Sequence, residues 1–550
     1  MKYPAVFYLL VLVWGCGGAD KGRQMEEAMR GVLGDTARPA FVTADAEGTA
    51  LWKQTRQFYE QRAFVPVWIK DAKPRKQMED LIEALQHVDQ HGLDPELYSA
   101  TLIKTRREEA TKGFLTDPGF DPREAGTLDV WLTYLYLKHA ADVANGMSDL
   151  ASADKRWRIL PDAFDPLAHL NEAVEKDRVV DALTELQPQH REYTKLRESL
   201  AAYREIAAKG GWPVVPDTLK LKPGQSHPDV AALANRLAVT GDYAGTAPSS
   251  YDTALQDAVK RFQTRHGLAA AGLIGAETIA ALNVPVDARI RQIELNLERW
   301  RWLPANLGDR YILVNVPEMR LRVYEGGNIP LSMAVVVGTP ATPTPIFNDE
   351  MKYVVLSPYW NVPDSIAQGE TLPGLMKDPN YLARNNMEIV DKDGRTVAPA
   401  DMDQSALDRY RFRQRPGKAN SLGLVKFMFP NQYNVYLHDT PADSLFARAG
   451  RAFSHGCVRV EDPMALAKYV LRDQSAWTTE AINAAMHSGT EKSVPLTAPI
   501  PVYLGYWTAQ VDEAGILHFR ADVYGIDTDQ GRRLTERKNR LKQADKPTLE

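Results

Sequence analysis

Residues 311–338 read YILVNVPEMRLRVYEGGNIPLSMAVVVG, and apolar and polar side chains alternate through much of this stretch. Ile312, Val314 and Val316 lie two residues apart, and Leu321 and Val323 repeat that spacing. A period of two is typical of a β-strand with one buried face. The sequence Glu-Gly-Gly-Asn at 325–328 predicts a turn, and the apolar run that follows predicts a buried strand. These features predict a β-rich domain.

The same patterning continues towards the C-terminus. Further strands are predicted at residues 351–356, 425–437 and 500–524. Residues 364–424 are weakly periodic and rich in Pro, Gly, Asp, Asn and Arg, and they are too many for a simple connection. We expect them to form a capping lid or small subdomain inserted into the β-rich domain, which spans residues 290–510. C-terminal strands and an exposed charged tail are expected in 511–550.

Towards the N-terminus the apolar spacing becomes helical. Residues 46–207 carry apolar side chains three and four apart and predict an all-α scaffold domain. A turn-rich joint then precedes a compact unit at 218–285, whose pattern predicts three short helices. Residues 16–45 are polar and Gly-rich, which favours a tether with little structure. The predicted fold class is therefore multidomain α+β.

Composition excludes several classes of protein. The chain has 550 residues, 44% hydrophobic and 25% charged, as in ordinary globular proteins of several domains. The formal net charge of -5 lacks the excess of basic residues that is typical of nucleic-acid-binding proteins. The two cysteines, Cys16 and Cys457, exclude a disulfide framework and multi-cysteine metal clusters. The eleven histidines lack partners at recognisable ligand spacing, so we expect neither a metal nor another cofactor.

The N-terminus has the pattern of an export signal. Lys2 is followed by an apolar stretch too short to span a bilayer but suited to a signal peptide at 1–15. Val13-Trp14-Gly15-Cys16 resembles the lipobox of bacterial lipoproteins, in which the cysteine is acylated. The alternative is a plain cleaved signal with an incidental cysteine. We expect a periplasmic lipoprotein of a Gram-negative bacterium, held at the membrane only by its N-terminal lipid.

Cys457 is the candidate nucleophile. It lies in the string Ser454-His455-Gly456-Cys457-Val458-Arg459, on a predicted turn. A thiol attacks a carbonyl as thiolate, so it needs a base to take its proton. His438, which closes a predicted strand, is the candidate base, and a backbone carbonyl such as that of Asp439 can orient its ring. The purely structural alternatives are that Cys457 is a buried core residue and that His438 only caps a strand.

Neighbouring residues complete the predicted site. Gly456 lets the backbone approach an acyl group, and amide N–H groups near Cys457 can form an oxyanion hole. Arg459 suits a substrate carboxylate or a structural salt bridge, and His455 can donate to the oxyanion or hold the loop. The other substrate-binding candidates are Asp439, Tyr359 and Trp360, of which the two aromatics can equally be packing residues.

Taken together, these motifs resemble those of the bacterial L,D-transpeptidases, in particular the large, lid-bearing branch of that family. Besides 454–459, the resemblance rests on motifs distributed along the chain: Ser357-Pro358-Tyr359-Trp360-Asn361-Val362-Pro363, Arg415-Pro416-Gly417, Leu437-His438-Asp439-Thr440-Pro441, Pro66-Val67-Trp68 and Gly92-Leu93-Asp94. The stretch from Phe262-Gln263 to Gly272-x-Ile274-Gly275 and Thr278 resembles a three-helix peptidoglycan-binding domain. The resemblance implies a β-sandwich-like catalytic domain.

The resemblance also implies a reaction. Cys457 would attack the third residue of a tetrapeptide stem, expel D-Ala and pass the acyl group to a neighbouring stem amine, giving a 3→3 cross-link. Carbapenems would acylate the same cysteine. Peptidoglycan stems would be the substrates, and wall synthases and carboxypeptidases are candidate partners. Two alternatives stay open: a cysteine carboxypeptidase or endopeptidase that trims the wall, and a non-catalytic wall-binding lipoprotein scaffold.

Overall fold

The computed structural model describes residues 16–35, 38–70, 73–110, 120–147, 156–402 and 409–544. The predicted signal peptide at 1–15 and the side chain of Cys16 lie outside the described part of the chain. Within it, the fold is multidomain α+β, with a helical N-terminal half and a β-rich C-terminal half. No helix in these ranges is both long enough and apolar enough to cross a bilayer.

The helices of the N-terminal half, before the first long strand, run in two groups. The scaffold contains α1 Cys16–Gly34, α2 Ala46–Gln61, α3 Lys76–Gln86, α4 Ala100–Ala110, α5 Pro122–Asn145, α6 Pro166–Glu175, α7 Val179–Glu185 and α8 Arg191–Ala208, with a short hairpin of β1 Ile69–Lys70 and β2 Lys73–Pro74. The three-helix module and the helix that follows it are α9 Val230–Val239, α10 Thr253–Arg265, α11 Ala276–Leu282 and α12 Val286–Arg301.

Helix α5 is the centre of the scaffold and is buried along most of its length. Its Asp129 carboxylate accepts hydrogen bonds from the amides of Val67, Trp68 and Ile69 at 3.0, 2.8 and 3.0 Å, and from the Tyr59 hydroxyl at 2.6 Å. Burial raises the pKa of Asp129 to about 6. The Pro66-Val67-Trp68 motif therefore anchors the first hairpin onto the central helix.

Residues 16–34, predicted as part of a tether, form helix α1 in the structure. Met25, Met29 and Leu33 are spaced four apart, so they share one face and are buried where α1 packs along α5. Gly126 of α5 allows this close approach, since a Cβ there would lie 3.0 Å from the Met25 carbonyl oxygen. The polar composition concealed a short apolar face whose burial depends on a distant helix.

The three-helix module has its own hydrophobic core. Gln263 ties it together: its side-chain amide donates to the Leu273 carbonyl at 2.8 Å and to the Thr278 hydroxyl at 3.0 Å, and its oxygen accepts from the Gly272 amide at 2.8 Å. The Phe262-Gln263 to Thr278 motif is thus a set of residues that builds the module.

The β-rich half contains one large sheet. Its strands are β3 Arg310–Asn315, β4 Arg320–Glu325, β5 Asn328–Gly338, β6 Phe347–Leu356, β11 Val425–Met428, β12 Leu437–His438, β13 Ala452–Ser454, β14 Val458–Val460 and β15 Lys492–Gly505. They are ordered β13-β5-β14-β12-β11-β6-β15-β3-β4. The long strand β5 also pairs with β4, so the sheet closes on itself around a core. The predicted turn and strands at 311–338 correspond to β3, β4 and β5.

The predicted lid at 364–424 is a small subdomain. Strands β7 Trp360–Asn361, β8 Met387–Val390, β9 Thr396–Val397 and β10 Arg411–Gln414 form a second sheet, accompanied by the short helices α13 Asp364–Ile366, α14 Leu372–Lys377 and α15 Tyr381–Arg384. Helices α13 and α14 are joined by a π-helical turn at Ala367–Thr371. This subdomain has its own apolar core, which includes Ile389 and Phe412.

The C-terminal region differs from the prediction of an exposed tail. After α16 Pro463–Leu471, α17 Thr479–Met486 and the hairpin of β16 Ala509–Val511 and β17 Leu517–Phe519, helix α18 runs from Ile526 to Ala544. Ile526, Gln530 and Leu534 are buried, and Arg299 of α12 donates to the Gln530 side chain at 3.0 Å. The helix is highly charged, yet the spacing of its few buried residues packs one face against the body of the protein.

The scaffold and the large sheet share a continuous hydrophobic core, unlike the module and the lid. Four indole rings join them: Trp157 meets Trp302 edge-on at 5.1 Å, and Trp300 stacks on Trp507 at 4.9 Å. Two regions predicted as separate domains are therefore one packing unit.

Candidate active site

The candidate nucleophile and base lie on neighbouring strands. β12 and β14 pair in parallel, with Leu437 opposite Val458 and His438 opposite Arg459. Cys457 immediately precedes β14 and His438 is the last residue of β12, so they lie on either side of the Leu437–Val458 pair, with their side chains on the same face of the sheet. This pairing brings two distant parts of the sequence to one cavity of about 420 Å³.

The cavity lies between the lid and this face of the sheet. Its walls are formed by Trp360, Pro363, Ser365, Ile366, Glu370, Ser421, Leu422, Tyr433, Asn434, Val435, Tyr436, His438, Ser454, His455, Cys457 and Arg459. Among these residues Arg459 is the one permanent cation and Glu370 the one carboxylate. The cavity is therefore charged at two points and otherwise neutral. No group of three or more His, Cys, Asp or Glu residues suited to a metal ion occurs in the described ranges.

The thiol of Cys457 is half-buried, with its sulfur 3.7 Å from the carbonyl oxygen of Asn434. Burial raises its pKa, although hydrogen bonds from Tyr436 and the positive charge of Arg459 act in the opposite direction. Burial, and then the contact with Cys457, raise the pKa of the Tyr436 phenol well above its usual value. The resting sulfur is thus a neutral thiol at neutral pH, and it needs a base before it can attack.

His438 has the properties of such a base. Its Nδ1 lies 2.5 Å from the carbonyl oxygen of Asp439. Because a carbonyl only accepts hydrogen bonds, Nδ1 carries the hydrogen and Nε2 keeps its lone pair. Burial, and then the charge of Arg459, lower the pKa of His438 to about 3. The imidazole is therefore neutral at physiological pH, and its Nε2 is unprotonated.

The turn before Cys457 is held by its own side chains. The Ser454 hydroxyl donates to the Cys457 carbonyl at 2.5 Å and accepts from the Gly456 amide at 3.1 Å. Thr344 donates to the Gly456 carbonyl at 2.8 Å. Gly456 has φ of +114°, and a Cβ there would meet only ordinary contacts, at 3.6 Å or more. Glycine is therefore required by the backbone conformation rather than by lack of space.

One amide of this turn is a candidate oxyanion donor. The Gly456 amide donates to Ser454, and the Val458 amide donates to the Tyr436 carbonyl at 3.2 Å. Of the three consecutive amides from Gly456 to Val458, that of Cys457 is the one with no acceptor among the residues that the structure describes. An N–H next to the nucleophile is suited to a developing oxyanion.

The other predicted site residues divide into two groups. Arg459, His455 and Trp360 line the cavity, and the Nε atom of Arg459 is buried with no hydrogen-bond partner. Asp439 and Tyr359 do not line it. The Asp439 carboxylate accepts from the amides of Leu424 and Thr440, both at 2.7 Å, so only its carbonyl serves the site. The Tyr359 ring packs under the Arg413 guanidinium at 4.2 Å.

Among the cavity residues not found from the sequence, three contact predicted site residues: Tyr436, Asn434 and Glu370. Tyr436 lies two residues before His438, and a period of two places both on one side of the strand, which was an available signal. Asn434 has φ of +54° and presents its carbonyl oxygen to the thiol, which no motif indicates. Glu370 reaches the cavity from the lid, whose weak periodicity gave no orientation for its side chains.

Comparison with known families gives three matches along the chain. Residues 309–494 match the L,D-transpeptidase catalytic domain, residues 226–282 match a domain described as "Putative peptidoglycan binding domain", and residues 53–200 match a scaffold domain. A curated protein of Haemophilus influenzae, named "Putative L,D-transpeptidase", is 36% identical over 240 residues. That match covers 43% of this chain and 48% of the relative, so the chain spans about half of that protein's length.

Two solved structures are similar at a lower level. An L,D-transpeptidase from Xylanimonas cellulosilytica is 17% identical, with 52% of this chain and 98% of that chain covered and a TM-score of 0.18. One from Mycobacterium smegmatis is 13% identical, with 36% and 58% covered and a TM-score of 0.17. Identities and TM-scores this low say nothing further about function.

Proposed function

We propose that this chain, which belongs to the L,D-transpeptidase family, is a cysteine-dependent peptidoglycan L,D-transpeptidase. The observation that carries the proposal is the meeting of Cys457 and a neutral, oriented His438 in one cavity under the lid. A neutral thiol that shares a cavity with an imidazole that has a free lone pair is suited to nucleophilic attack with general-base help. The family implies the acyl group: the third residue of a tetrapeptide stem.

In the acylation step, His438 Nε2 takes the proton of the Cys457 thiol as the sulfur attacks the carbonyl carbon of the stem's third residue. The carbonyl oxygen becomes an oxyanion, which the Cys457 amide stabilises. When the intermediate collapses, the bond to D-Ala breaks and His438 returns the proton to the departing amine. The products are free D-Ala and a thioester on Cys457.

In the transfer step, the side-chain amine of a neighbouring stem attacks the thioester carbonyl. A C–N bond forms, the C–S bond breaks, and the amine's proton passes through His438 back to the sulfur. The result is a 3→3 cross-link and the free thiol. Water in place of the amine gives a tripeptide, so the lid affects the outcome by how well it excludes water.

Arg459 is suited to hold a stem carboxylate during both steps. Its guanidinium lines the cavity, and its Nε is buried and unpartnered. A buried donor without an acceptor is unfavourable unless a ligand supplies one. A carboxylate of the donor stem meets that requirement with a charge-assisted hydrogen bond.

The proposal includes location and targeting. The catalytic and peptidoglycan-binding matches support a substrate in the cell wall and therefore an extracytoplasmic enzyme. We further propose export by a signal peptide at 1–15 and lipidation at Cys16, with wall synthases and carboxypeptidases as candidate partners. Lipidation is tested by the mass of the N-terminal peptide of the mature protein and by its loss in a Cys16→Ala variant.

Product analysis tests the proposed reaction. Purified protein incubated with disaccharide-tetrapeptide should release D-Ala and give a dimer whose cross-link joins two third residues, as read by tandem mass spectrometry. Cys457→Ala should give neither product. Tripeptide without any dimer would replace the transpeptidase with a carboxypeptidase, and unchanged wall cross-linking in cells carrying only Cys457→Ala would favour a non-catalytic scaffold.

A further inference from the structure

The active-site cavity has two charged ends, one on the sheet and one on the lid. Arg459 lies on β14, next to the nucleophile, whereas Glu370 lies in the π-helical turn at Ala367–Thr371 of the lid. A π-helical turn widens a helix locally and occurs frequently at functional sites. The lid therefore contributes the single carboxylate among the residues that line the cavity.

Glu370 already has one contact across the cavity. Its Oε1 lies 3.1 Å from Nε2 of His455, two residues before the nucleophile, and both side chains are more than half exposed, at 59% and 53%. An exposed pair of this kind contributes little to folding stability. Its position at the mouth of the cavity, where a second substrate must enter, suggests a role in binding.

We propose that Glu370, supported by His455, binds the ammonium group of the acceptor and so favours transfer over hydrolysis. This inference rests on the proposed function. A primary amine of the lysine type is protonated at neutral pH, so an acceptor arrives as a cation. The negative end of the cavity attracts it, while the positive end at Arg459 repels it and takes the donor's carboxylate instead. The two stems are thereby assigned to opposite ends.

The acceptor amine must lose a proton before it can attack the thioester. The acceptor ammonium loses one proton to bulk water at this exposed part of the cavity. The neutral amine then attacks the thioester: the C–N bond forms, the C–S bond breaks, and the second proton of the nitrogen goes through His438 to the sulfur. The net change is one amide, one thiol and one proton released.

The test measures partition of the acyl-enzyme. The full chain is given a donor tetrapeptide stem whose own side-chain amine is acetylated, with increasing amounts of a tripeptide stem as acceptor. For each protein, the ratio of cross-linked to hydrolysed product is plotted against acceptor concentration. We expect the slope for Glu370→Gln to fall about tenfold, the effect of losing one charge-assisted hydrogen bond. The acylation rate, measured with donor or with a carbapenem, should change by less than about twofold.

Two controls make the result specific. Hydroxylamine, which is uncharged at neutral pH, should give the same slope with wild type and with Glu370→Gln. Asp393→Asn makes the same charge change on the lid, at a carboxylate that is exposed and outside the cavity, and should leave all slopes unchanged. An equal loss with both acceptors, or no loss with the stem, would overturn the inference while leaving the proposed function intact. Failure of the wild-type protein to form any acyl-enzyme would overturn the proposed function instead.

Discussion

At the scale of single residues, the chemistry depends on two groups that both rest uncharged. Burial raises the pKa of Cys457 and lowers that of His438 to about 3, so the thiol and the imidazole that line this cavity both rest neutral. A thiolate and imidazolium pair would need the opposite shifts, a lowered thiol pKa and a raised imidazole pKa. In the proposed reaction the proton therefore moves only when a substrate is attacked.

The pH dependence of Cys457 alkylation follows from this. The rate with iodoacetamide should rise with pH through a midpoint above the ordinary thiol value of about 8.5, because the raised pKa reduces the thiolate fraction near neutrality. The measurement is the rate constant by intact mass from pH 5 to 10, with a Cys457→Ala control. A plateau already reached below pH 7 would mean an ion pair at rest and would contradict this description.

Arg459 should affect both pKa values in one direction. Its charge lowers the pKa of Cys457 and of His438, so Arg459→Met should raise both. We expect alkylation at pH 7 to slow by about threefold to tenfold, the effect of up to about one pKa unit. Arg395→Met, an exposed arginine of the lid outside the cavity, is the matched control. A faster reaction in Arg459→Met would show that the guanidinium does not stabilise the thiolate.

Residue types in the site were predictable, whereas side-chain directions were only partly so. The need of a thiol for a base led to Cys457 and His438, and a strand ending at His438 allowed a carbonyl to orient it. Asp439 and Tyr359 are adjacent in sequence to site residues, yet their side chains hold the loop amides and an arginine elsewhere. Adjacency along a chain does not fix direction where the backbone turns.

At the scale of elements, the turn at 454–457 determines where the nucleophile lies. Gly456→Ala places an L side chain at φ of +114°, a strained conformation that costs about 1–3 kcal/mol, although the space itself is sufficient. Relief of that strain would shift the Cys457 amide and sulfur. We therefore expect a modestly lower free energy of unfolding in urea and a larger, at least about tenfold, loss of carbapenem acylation rate.

Gly450→Ala is the control for this turn. Gly450 lies on the other side of the short strand β13, without a left-handed φ and with no atom within 4 Å of an added Cβ. Gly450→Ala should leave the free energy of unfolding and the carbapenem acylation rate unchanged. Equal effects of the two substitutions, or normal acylation in Gly456→Ala, would contradict the account of the turn.

At the scale of the whole molecule, the shared core makes the scaffold part of the catalytic unit. Trp302 is fully buried between the two regions, and its indole N–H donates to Glu298 at 3.0 Å. Trp302→Ala should lower the free energy of unfolding by about 3–5 kcal/mol. Calorimetry should show one transition for scaffold and sheet together, shifted to lower temperature. A catalytic-domain transition that stays in place while the scaffold melts early would contradict the shared core.

Domain order was readable from the sequence because each domain has its own apolar period, two for the sheet and three to four for the helices. Helices α1 and α18 could not be predicted from the sequence, because their few buried side chains are explained only by packing against distant helices. The continuity of the core likewise depends on four tryptophans far apart in sequence, whose contacts no local pattern specifies.

The most direct measurement is the mass of the protein after brief exposure to disaccharide-tetrapeptide and acid quench. The proposed mechanism predicts an adduct equal to the stem without D-Ala, located on the Cys457 peptide and absent from Cys457→Ala. It should form at least about 100-fold more slowly in His438→Asn, which lacks the base. An adduct on another residue, or one that forms at the wild-type rate without His438, would contradict it.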